Sequence, residues 1–209
     1  AEPSVVRETE TTVIYDGNNG SGLYTAKKAM ELAIEKAKQA DLCRVSFVRA
    51  HHIGRLGTWA EMAAHAGCIG IITTGGGAGG KGKILPFGGS VGALGTNPIA
   101  VGFPTGDEAP FVLDYATSMI AAGKTMFAES KDADLPEGCL VDEGGNPSVK
   151  VADYRDGGHM LAFGQHKGYA LSLLTCLLGG LSGNFDPEAG SMRGTFMQVM
   201  DVTAFTPLE

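Results

Sequence analysis

The sequence has few cysteines and no hydrophobic run long enough to cross a membrane. The longest strongly apolar stretch, residues 170–178, is about half of the ~20 residues that a spanning helix needs. No signal-peptide pattern follows Ala1. The four cysteines are scattered and form no CxxC pair, which is typical of reduced thiols and gives no support to a metal site. We therefore expect a cytoplasmic protein without a metal.

Positive charge is also scarce. The chain has 16 basic and 23 acidic residues, a net charge of −7, and no block of Lys and Arg long enough to follow a nucleic-acid backbone. We expect no nucleic-acid partner.

Glycine is the residue in excess, since 32 of the 209 residues are glycine, about twice the usual ~7% share. The glycines follow no G-X-Y period, and a chain of this length can bury a core, so collagen-like and disordered structures are excluded. We expect the glycines to mark tight turns or close approaches of the backbone to a ligand.

Helix and strand patterns alternate along the first third of the chain. The pattern predicts a strand at 4–15, a turn at 16–20, a helix at 21–40, a strand at 43–48, a helix at 58–66 that opens with a capping box, and a strand at 68–73. It then predicts strands at 99–103, 110–114 and 196–205, a helix beginning within 117–124, a loop at 130–158 and a buried helix at 168–179. The fold class predicted is α/β (α+β), with helices layered on a sheet.

The run from Gly75 to Gly80 satisfies G-x-G-x-x-G after a predicted strand. A Rossmann site needs a helix directly afterwards, and residues 83–87 offer none. Gly75 and Lys81 also have P-loop spacing, but Gly82 stands where a Ser or Thr must bind magnesium. A P-loop NTPase is the least favoured alternative, and a flexible glycine loop is the expected structure.

Two histidines and an arginine follow the strand predicted at 43–48. An imidazole can donate or accept a proton at neutral pH, so His51 or His52 could act as an acid or base, and Arg55 could pair with a carboxylate or phosphate. A purely structural role for the histidine pair is the alternative. The two are not spaced to share one helix face, which argues against a shared metal.

Polar groups recur at three further element ends. Thr96 and Asn97 lie in a turn before a strand, and residues 114–118 end another, where Thr117 or Ser118 could also serve as a helix cap. His166 and Lys167 precede the apolar helix, and cations at a helix N-terminus oppose its dipole unless an anion is bound there.

Taken together, these blocks resemble the type-2 malate/L-lactate dehydrogenase family over nearly the whole chain. The order and spacing of six blocks carry the resemblance: residues 16–22, 51–54, 86–89, 95–98, 114–118 and 166–169. Residues 51–61, 113–124 and 138–142 look closest to its hydroxycarboxylate dehydrogenase branch.

The resemblance implies a non-Rossmann NAD(P)-binding fold with a mixed β-sheet covered by helices. It implies a homodimer that transfers a hydride between NAD or NADP and a small 2-oxo or 2-hydroxy acid. By motif position, His52 is the expected catalytic acid/base and Thr96 the expected substrate contact. The expected cofactor contacts are His52, Gly54, Asp114, Tyr115, Ala116, His166 and Lys167. Lys124 stands where one branch has an aspartate and is given no role.

The family also has an upstream Ser-His-Gly segment followed by an arginine, and a C-terminal tail, neither of which this sequence contains. We therefore expect residues 1–209 to be the central cofactor-binding portion and to reduce 2-oxo acids poorly alone. The alternative function is a catalytically impaired, dimeric nucleotide-binding module.

Overall fold

A computed structural model of the chain describes residues 2–78, 82–106, 109–186 and 191–207. Its strands are β1 (Ser4–Glu8), β2 (Thr12–Gly20), β3 (Leu42–Ala50), β4 (Cys68–Ala78), β5 (Ile99–Phe103), β6 (Phe111–Tyr115), β7 (Leu140–Val141), β8 (Pro147–Ser148), β9 (His159–Met160), β10 (Phe185–Asp186) and β11 (Ser191–Asp201). Its α-helices are α1 (Gly22–Ala40), α2 (Leu56–His65), α3 (Ala122–Ser130), α4 (Val151–Arg155) and α5 (His166–Gly180).

The main sheet is mixed. Its strand order is β1-β2-β3-β11-β4-β5-β6, and β10 pairs with β11. The β2–β3 pair, joined through α1, is parallel, and the other pairs in this sheet are antiparallel. The remaining short strands form a second sheet in the order β8-β7-β9. A mixed sheet covered by helices confirms the predicted fold class, and its mostly antiparallel pairing differs from the parallel sheet of a Rossmann fold.

One face of the main sheet is covered by α1 and α2. Ala26, Met30, Ala33 and Ala37 recur at helical spacing and are fully buried, which confirms the helix predicted at 21–40. They belong to one hydrophobic core with inward-facing residues of the central strands, such as Phe47.

Glycines allow the helices to approach the sheet closely. A Cβ on Gly75 of β4 would lie 2.7 Å from the backbone nitrogen of Cys176 in α5, and one on Gly194 of β11 would lie 2.6 Å from Ser182 Oγ. On the opposite face, a Cβ on Gly102 of β5 would lie 2.7 Å from the carbonyl carbon of Ala60 in α2. Much of the glycine excess therefore serves packing between elements of the fold.

The prediction of a flexible loop at the glycine run is wrong for residues 75–78. Residues 75–78 continue β4 and pair in register with residues 191–194 of β11. Gly79, Gly80 and Lys81 lie outside the described residues.

Helix α5 exists, but the expectation that it is buried is wrong. Its sheet-facing residues are small. By contrast, Leu174 and Leu177 of the helix are 47% and 64% exposed, and Leu181, which follows the helix, is 59% exposed. The close glycine packing explains this, because only small side chains fit between α5 and the strands.

Several element boundaries also differ from the prediction. Residues 4–15 form two strands rather than one, and 16–20 belong to β2, where Asn18 and Asn19 take positive φ angles of 50° and 55°. Helix α2 starts at Leu56 without a side-chain cap, so Thr58 and Glu61 form no capping box.

The third helix, α3, begins at Ala122, which lies within the predicted range. The alternative that Thr117 or Ser118 caps it is wrong, because their hydroxyls donate to the carbonyls of Thr96 and Ile120. The loop predicted at 130–158 contains β7, β8 and α4. None of the helices in the described ranges is long and apolar enough to cross a membrane.

Candidate active site

A cleft of about 690 Å³ opens above the main sheet, beyond the N-terminal end of α2. Strands β4 and β11 form its floor, with Thr74, Gly76, Arg193 and Thr195 among the lining residues. The loop after β3 and the turn before β5 also line it. These bring three of the predicted site residues together, namely His52, Gly54 and Thr96.

The loop that carries His52 is fixed by local contacts. The N-terminus of α1 packs directly on it, since a Cβ on Gly22 would lie 2.5 Å from the carbonyl oxygen of His52. The buried indole of Trp59 donates a 3.0 Å hydrogen bond to the carbonyl oxygen of Ile53. Gly54 turns the chain with a φ of +76°, a conformation that favours glycine.

The His52 ring has a defined hydrogen-bonding arrangement. Its Nδ1 accepts a 3.0 Å hydrogen bond from the backbone N–H of Gly54. In the neutral ring the proton is therefore assigned to Nε2, and the exposed side chain can use that nitrogen as a donor.

Asn97 joins the turn at 95–97 to two neighbouring elements. Its Oδ1 accepts from the Gly76 N–H at 3.0 Å, and its Nδ2 donates to Ser172 Oγ at 2.8 Å and to Cys176 Sγ at 3.0 Å. Burial raises the pKa of the Cys176 thiol, so this sulfur is a neutral packing group. Thr96 is held between these anchored neighbours, and its hydroxyl makes no hydrogen bond to the described residues.

Asp114 reaches the base of the same loop from β6. Its Oδ2 accepts a 2.8 Å hydrogen bond from the Gly57 N–H and lies 3.7 Å from Arg55 Nε. Arg55 also donates to Glu61 at 2.8 Å. A side chain at Gly57 would collide with this pair, since its Cβ would lie 2.9 Å from Asp114 Oδ2.

The other predicted cofactor residues lie on the adjoining surface and do not line the cleft. The Tyr115 ring packs edge-on against Phe163 at 5.5 Å, and the Gly168 N–H in the first turn of α5 donates to the Phe163 carbonyl. His166 and Lys167 are exposed at this helix start. The N–H groups of Lys167 and Tyr169 also donate to carbonyls, those of Gly164 and Gln165, so they are not available to an anion.

Three cations line the cleft that the sequence analysis did not single out: Arg49, Lys83 and Arg193. Arg49 pairs with Asp16, and its hydrogen bond lowers the pKa of that carboxyl. Lys83 donates to the Tyr154 carbonyl at 3.0 Å. Among the described lining residues there is no Asp or Glu, so the cleft concentrates positive charge in an acidic chain.

His159 lies beside the cleft and has an unpaired polar atom. Its Nδ1 is buried without a hydrogen-bond partner in the described part of the chain. Burial and the nearby Lys83 ammonium lower the pKa of this imidazole, which favours its neutral form.

Two alternative chemistries find no support in the described ranges. No group of three His, Cys, Asp or Glu residues there could hold a metal ion. A P-loop wraps a phosphate between a strand and a helix, but residues 75–78 are paired strand and no helix occurs within 82–106.

The model of the family described as malate/L-lactate dehydrogenase matches residues 1–209 of the chain. Hydroxycarboxylate dehydrogenase B of Escherichia coli strain K12 is 43% identical over 181 residues, which are 85% of this chain and 50% of that relative. Malate dehydrogenase of Pyrococcus horikoshii is 39% identical over 220 residues, which cover 98% of this chain and 60% of that relative. The chain thus spans about half the length of the curated relatives it matches.

Solved structures match the fold as well. Malate dehydrogenase from Entamoeba histolytica superposes with a TM-score of 0.89 at 29% identity, covering 100% of this chain and 63% of that one. Sulfolactate dehydrogenase from Methanocaldococcus jannaschii gives a TM-score of 0.83 at 36% identity, covering 100% and 61%. The resemblance stated from the sequence motifs is confirmed.

Proposed function

This chain belongs to the malate/L-lactate dehydrogenase family, and on that basis we propose that it is an NAD(P)-dependent 2-hydroxycarboxylate dehydrogenase. It would transfer a hydride between a nicotinamide cofactor and a small 2-oxo or 2-hydroxy acid. The observation that carries this proposal is the cleft in which His52 and Thr96 lie together with free and paired cations. Because the chain spans about half of its relatives, the activity of the whole protein is part of the proposal.

The cleft fits a cofactor that carries a diphosphate. It is lined by cations and by the bare backbone of Gly76, which allows a ligand to approach closely. When bound, NAD or NADP supplies or accepts the hydride. The residues proposed to hold it are His52 and Gly54, which line the cleft, and Asp114, Tyr115, Ala116, His166 and Lys167, which lie outside it.

His52 is proposed to handle the proton. With Nδ1 engaged by Gly54, the Nε2–H is the donor that can protonate the substrate oxygen as it gains negative charge. The unengaged hydroxyl of Thr96 is proposed to hydrogen-bond the same substrate.

The cofactor sites are tested by titrating NADH and NADPH and following the fluorescence of the nicotinamide. We expect His52→Ala and Lys167→Ala each to weaken binding about tenfold, the effect of losing roughly one charge-assisted or ring contact. The matched controls are His65→Ala and Lys27→Ala, which change exposed helix residues away from the cleft. Equal effects of all four changes would remove these assignments. Cofactor binding without turnover of any 2-oxo acid would favour the impaired binding module.

A homodimer is the proposed assembly. The exposed leucines of α5 support it, because an apolar helix face of this kind is typical of a surface that a partner covers. Sedimentation velocity at tens of micromolar is expected to give the mass of two chains. Sedimentation as a monomer alone would count against a shared interface.

The cytoplasm is the proposed location. The four cysteines are free and buried, as expected in a reducing compartment.

A further inference from the structure

The loop that carries His52 leaves β3 beside an irregular point of the main sheet. Between β2 and β3 the pairing is regular up to Asp16 and resumes at Gly20. Residues 17–19 of β2 therefore lie opposite the single residue Arg49 of β3, which makes this a bulge. A bulge changes the direction of the side chains beside it, and His52 follows this one by three residues.

The backbone of the bulge is in an unfavourable conformation on both strands. Asn18 and Asn19 have φ angles of 50° and 55°, and Arg49 has a φ of 50°. Asparagine tolerates this left-handed region, whereas a long side chain such as arginine adopts it uncommonly. Such a conformation persists only where neighbouring contacts hold it, and it occurs preferentially at functional sites. The conformation of Arg49 therefore needs a contact that maintains it.

Asp16 supplies that contact. The Arg49 Nε donates to both oxygens of the carboxylate, at 2.9 Å to Oδ1 and 3.0 Å to Oδ2, and Nη2 also donates to Oδ2. The Asn18 N–H donates to Oδ1 at 2.8 Å, so the same carboxylate also closes the turn within the bulge. An exposed ion pair usually contributes little, but here the Asp16 side chain is only 15% exposed. An arginine fork on such a carboxylate fixes the direction as well as the position of the arginine.

Contacts between β2 and the next residues fix the path of the chain to His52. A Cβ on Gly17 would lie 2.8 Å from the carbonyl oxygen of Arg49, so the two strands meet here through bare backbone. The His51 N–H donates at 3.3 Å to the carbonyl of Gly20, the residue at which regular pairing resumes. The geometry of the bulge is therefore passed on to the residue directly before His52.

We propose that Asp16 and Arg49 are positioning residues for His52: their pair holds the bulge and thereby directs the imidazole into the cleft. This rests on the proposed function, in which His52 contacts the cofactor and moves the proton. It adds a role for Arg49, which the sequence motifs left without one. A reacting group must be held to within a fraction of an ångström, and hydrogen bonds behind it are the usual means.

The first test measures amide hydrogen exchange by NMR on the whole chain without ligand. The Gly54 N–H is the reporter, because it donates to His52 Nδ1 and exchanges when that bond opens. We expect Asp16→Asn and Arg49→Gln each to speed exchange at Gly54 about tenfold, as for the loss of roughly one hydrogen bond. Exchange at Met30, which is fully buried in α1, reports wider unfolding and should change less.

The second test titrates NADH by nicotinamide fluorescence. Both single variants should weaken binding about three- to tenfold, since the His52 loop is displaced rather than removed. The double variant should bind no worse than the weaker single variant, because both residues act through one contact. Arg49→Lys keeps the charge without the fork and should recover only part of the affinity, and it replaces Arg49→Gln in both tests should that variant not fold. The matched control, Asp134→Asn, breaks an exposed ion pair with Lys150 outside the cleft lining and should change neither measurement.

The two tests distinguish positioning from other roles of the pair. Unchanged exchange at Gly54 in both variants overturns the proposal, and so does equal acceleration at Gly54 and Met30, which would make the pair a general stabilising contact. Weaker NADH binding in Arg49→Gln but not in Asp16→Asn also overturns it, because the arginine would then bind the cofactor directly. Failure of the parent chain to bind NADH or NADPH counts against the proposed function, while the exchange measurement still decides whether the pair positions the loop.

Discussion

Gly75→Ala is expected to lower the free energy of unfolding by about 3 kcal/mol or more. The added methyl carbon would lie 2.7 Å from the backbone nitrogen of Cys176 and nearer still to the carbonyl group of Thr175. These atoms belong to the backbone of α5 and cannot rotate away as a side chain could. Relief requires α5 to move off the sheet, which separates it from both β4 and β11.

The matched control is Gly123→Ala in α3. No atom lies within 4 Å of the added carbon, and alanine is favoured over glycine in a helix by roughly 0.5–1 kcal/mol. Urea unfolding followed by circular dichroism should therefore move the midpoint down for Gly75→Ala and leave it equal or higher for Gly123→Ala. Similar midpoints for the two variants would show that α5 is not held against bare backbone.

The same glycine shows where sequence reasoning stops. Local sequence patterns predicted β5 and the helix α1 with its buried face. Such patterns succeed because the spacing of apolar side chains within one element indicates which of its faces is buried. Residues 75–78 are typical of a loop by composition, and they form strand only because β11 lies beside them. That pairing joins positions more than 110 residues apart and leaves no local pattern at the glycines.

In the candidate site, too, some residues could be identified from local motifs and others depend on strand pairing. His52 and Thr96 lie in short motifs whose residue types already indicate chemistry, so the sequence alone identifies them as candidates. Arg193 could not be identified in this way, since its place in the cleft depends on its pairing with Gly76. A signal was present in the strand itself, where Arg193 and Thr195 alternate with Gly194 and so share a face. The sequence alone does not say that this face is a cleft floor.

The wrong prediction that α5 is buried has a related cause. A helix that is apolar all round is normally buried, and the sequence of residues 168–179 fits that pattern. Here the buried residues of the helix are Gly168, Ser172, Thr175, Cys176 and Gly179, whereas Leu173, Leu174 and Leu177 are exposed. Close packing selects small residues, so the larger apolar side chains mark the opposite face.

Asn97→Ala is expected to lower the free energy of unfolding by about 3 kcal/mol. Through this asparagine, the packing of α5 is connected to the shape of the cleft. Asn97 is only 3% exposed, and its amide spans from the Gly76 N–H to Ser172 and Cys176 in α5. Removing it leaves buried donors and acceptors unpaired, at about 1–3 kcal/mol for each such group. Its φ of +40° adds strain for alanine that asparagine tolerates better.

Asn97→Gly separates the two contributions, because glycine accepts the positive φ but makes none of the hydrogen bonds. If the hydrogen bonds dominate, Asn97→Gly loses most of the stability that Asn97→Ala loses, whereas a strain-dominated loss would be restored by glycine. Asn146→Ala, in an exposed turn where the side chain bonds only to Asp142 among the described residues, should change stability by no more than ~0.5 kcal/mol. Since Asn97 Oδ1 anchors Gly76, both Asn97 variants should also weaken the binding of oxamate, a carboxylate that imitates a 2-oxo acid, at temperatures where they remain folded. Full stability of Asn97→Gly together with unchanged oxamate affinity would show that the amide does not hold the cleft floor to α5.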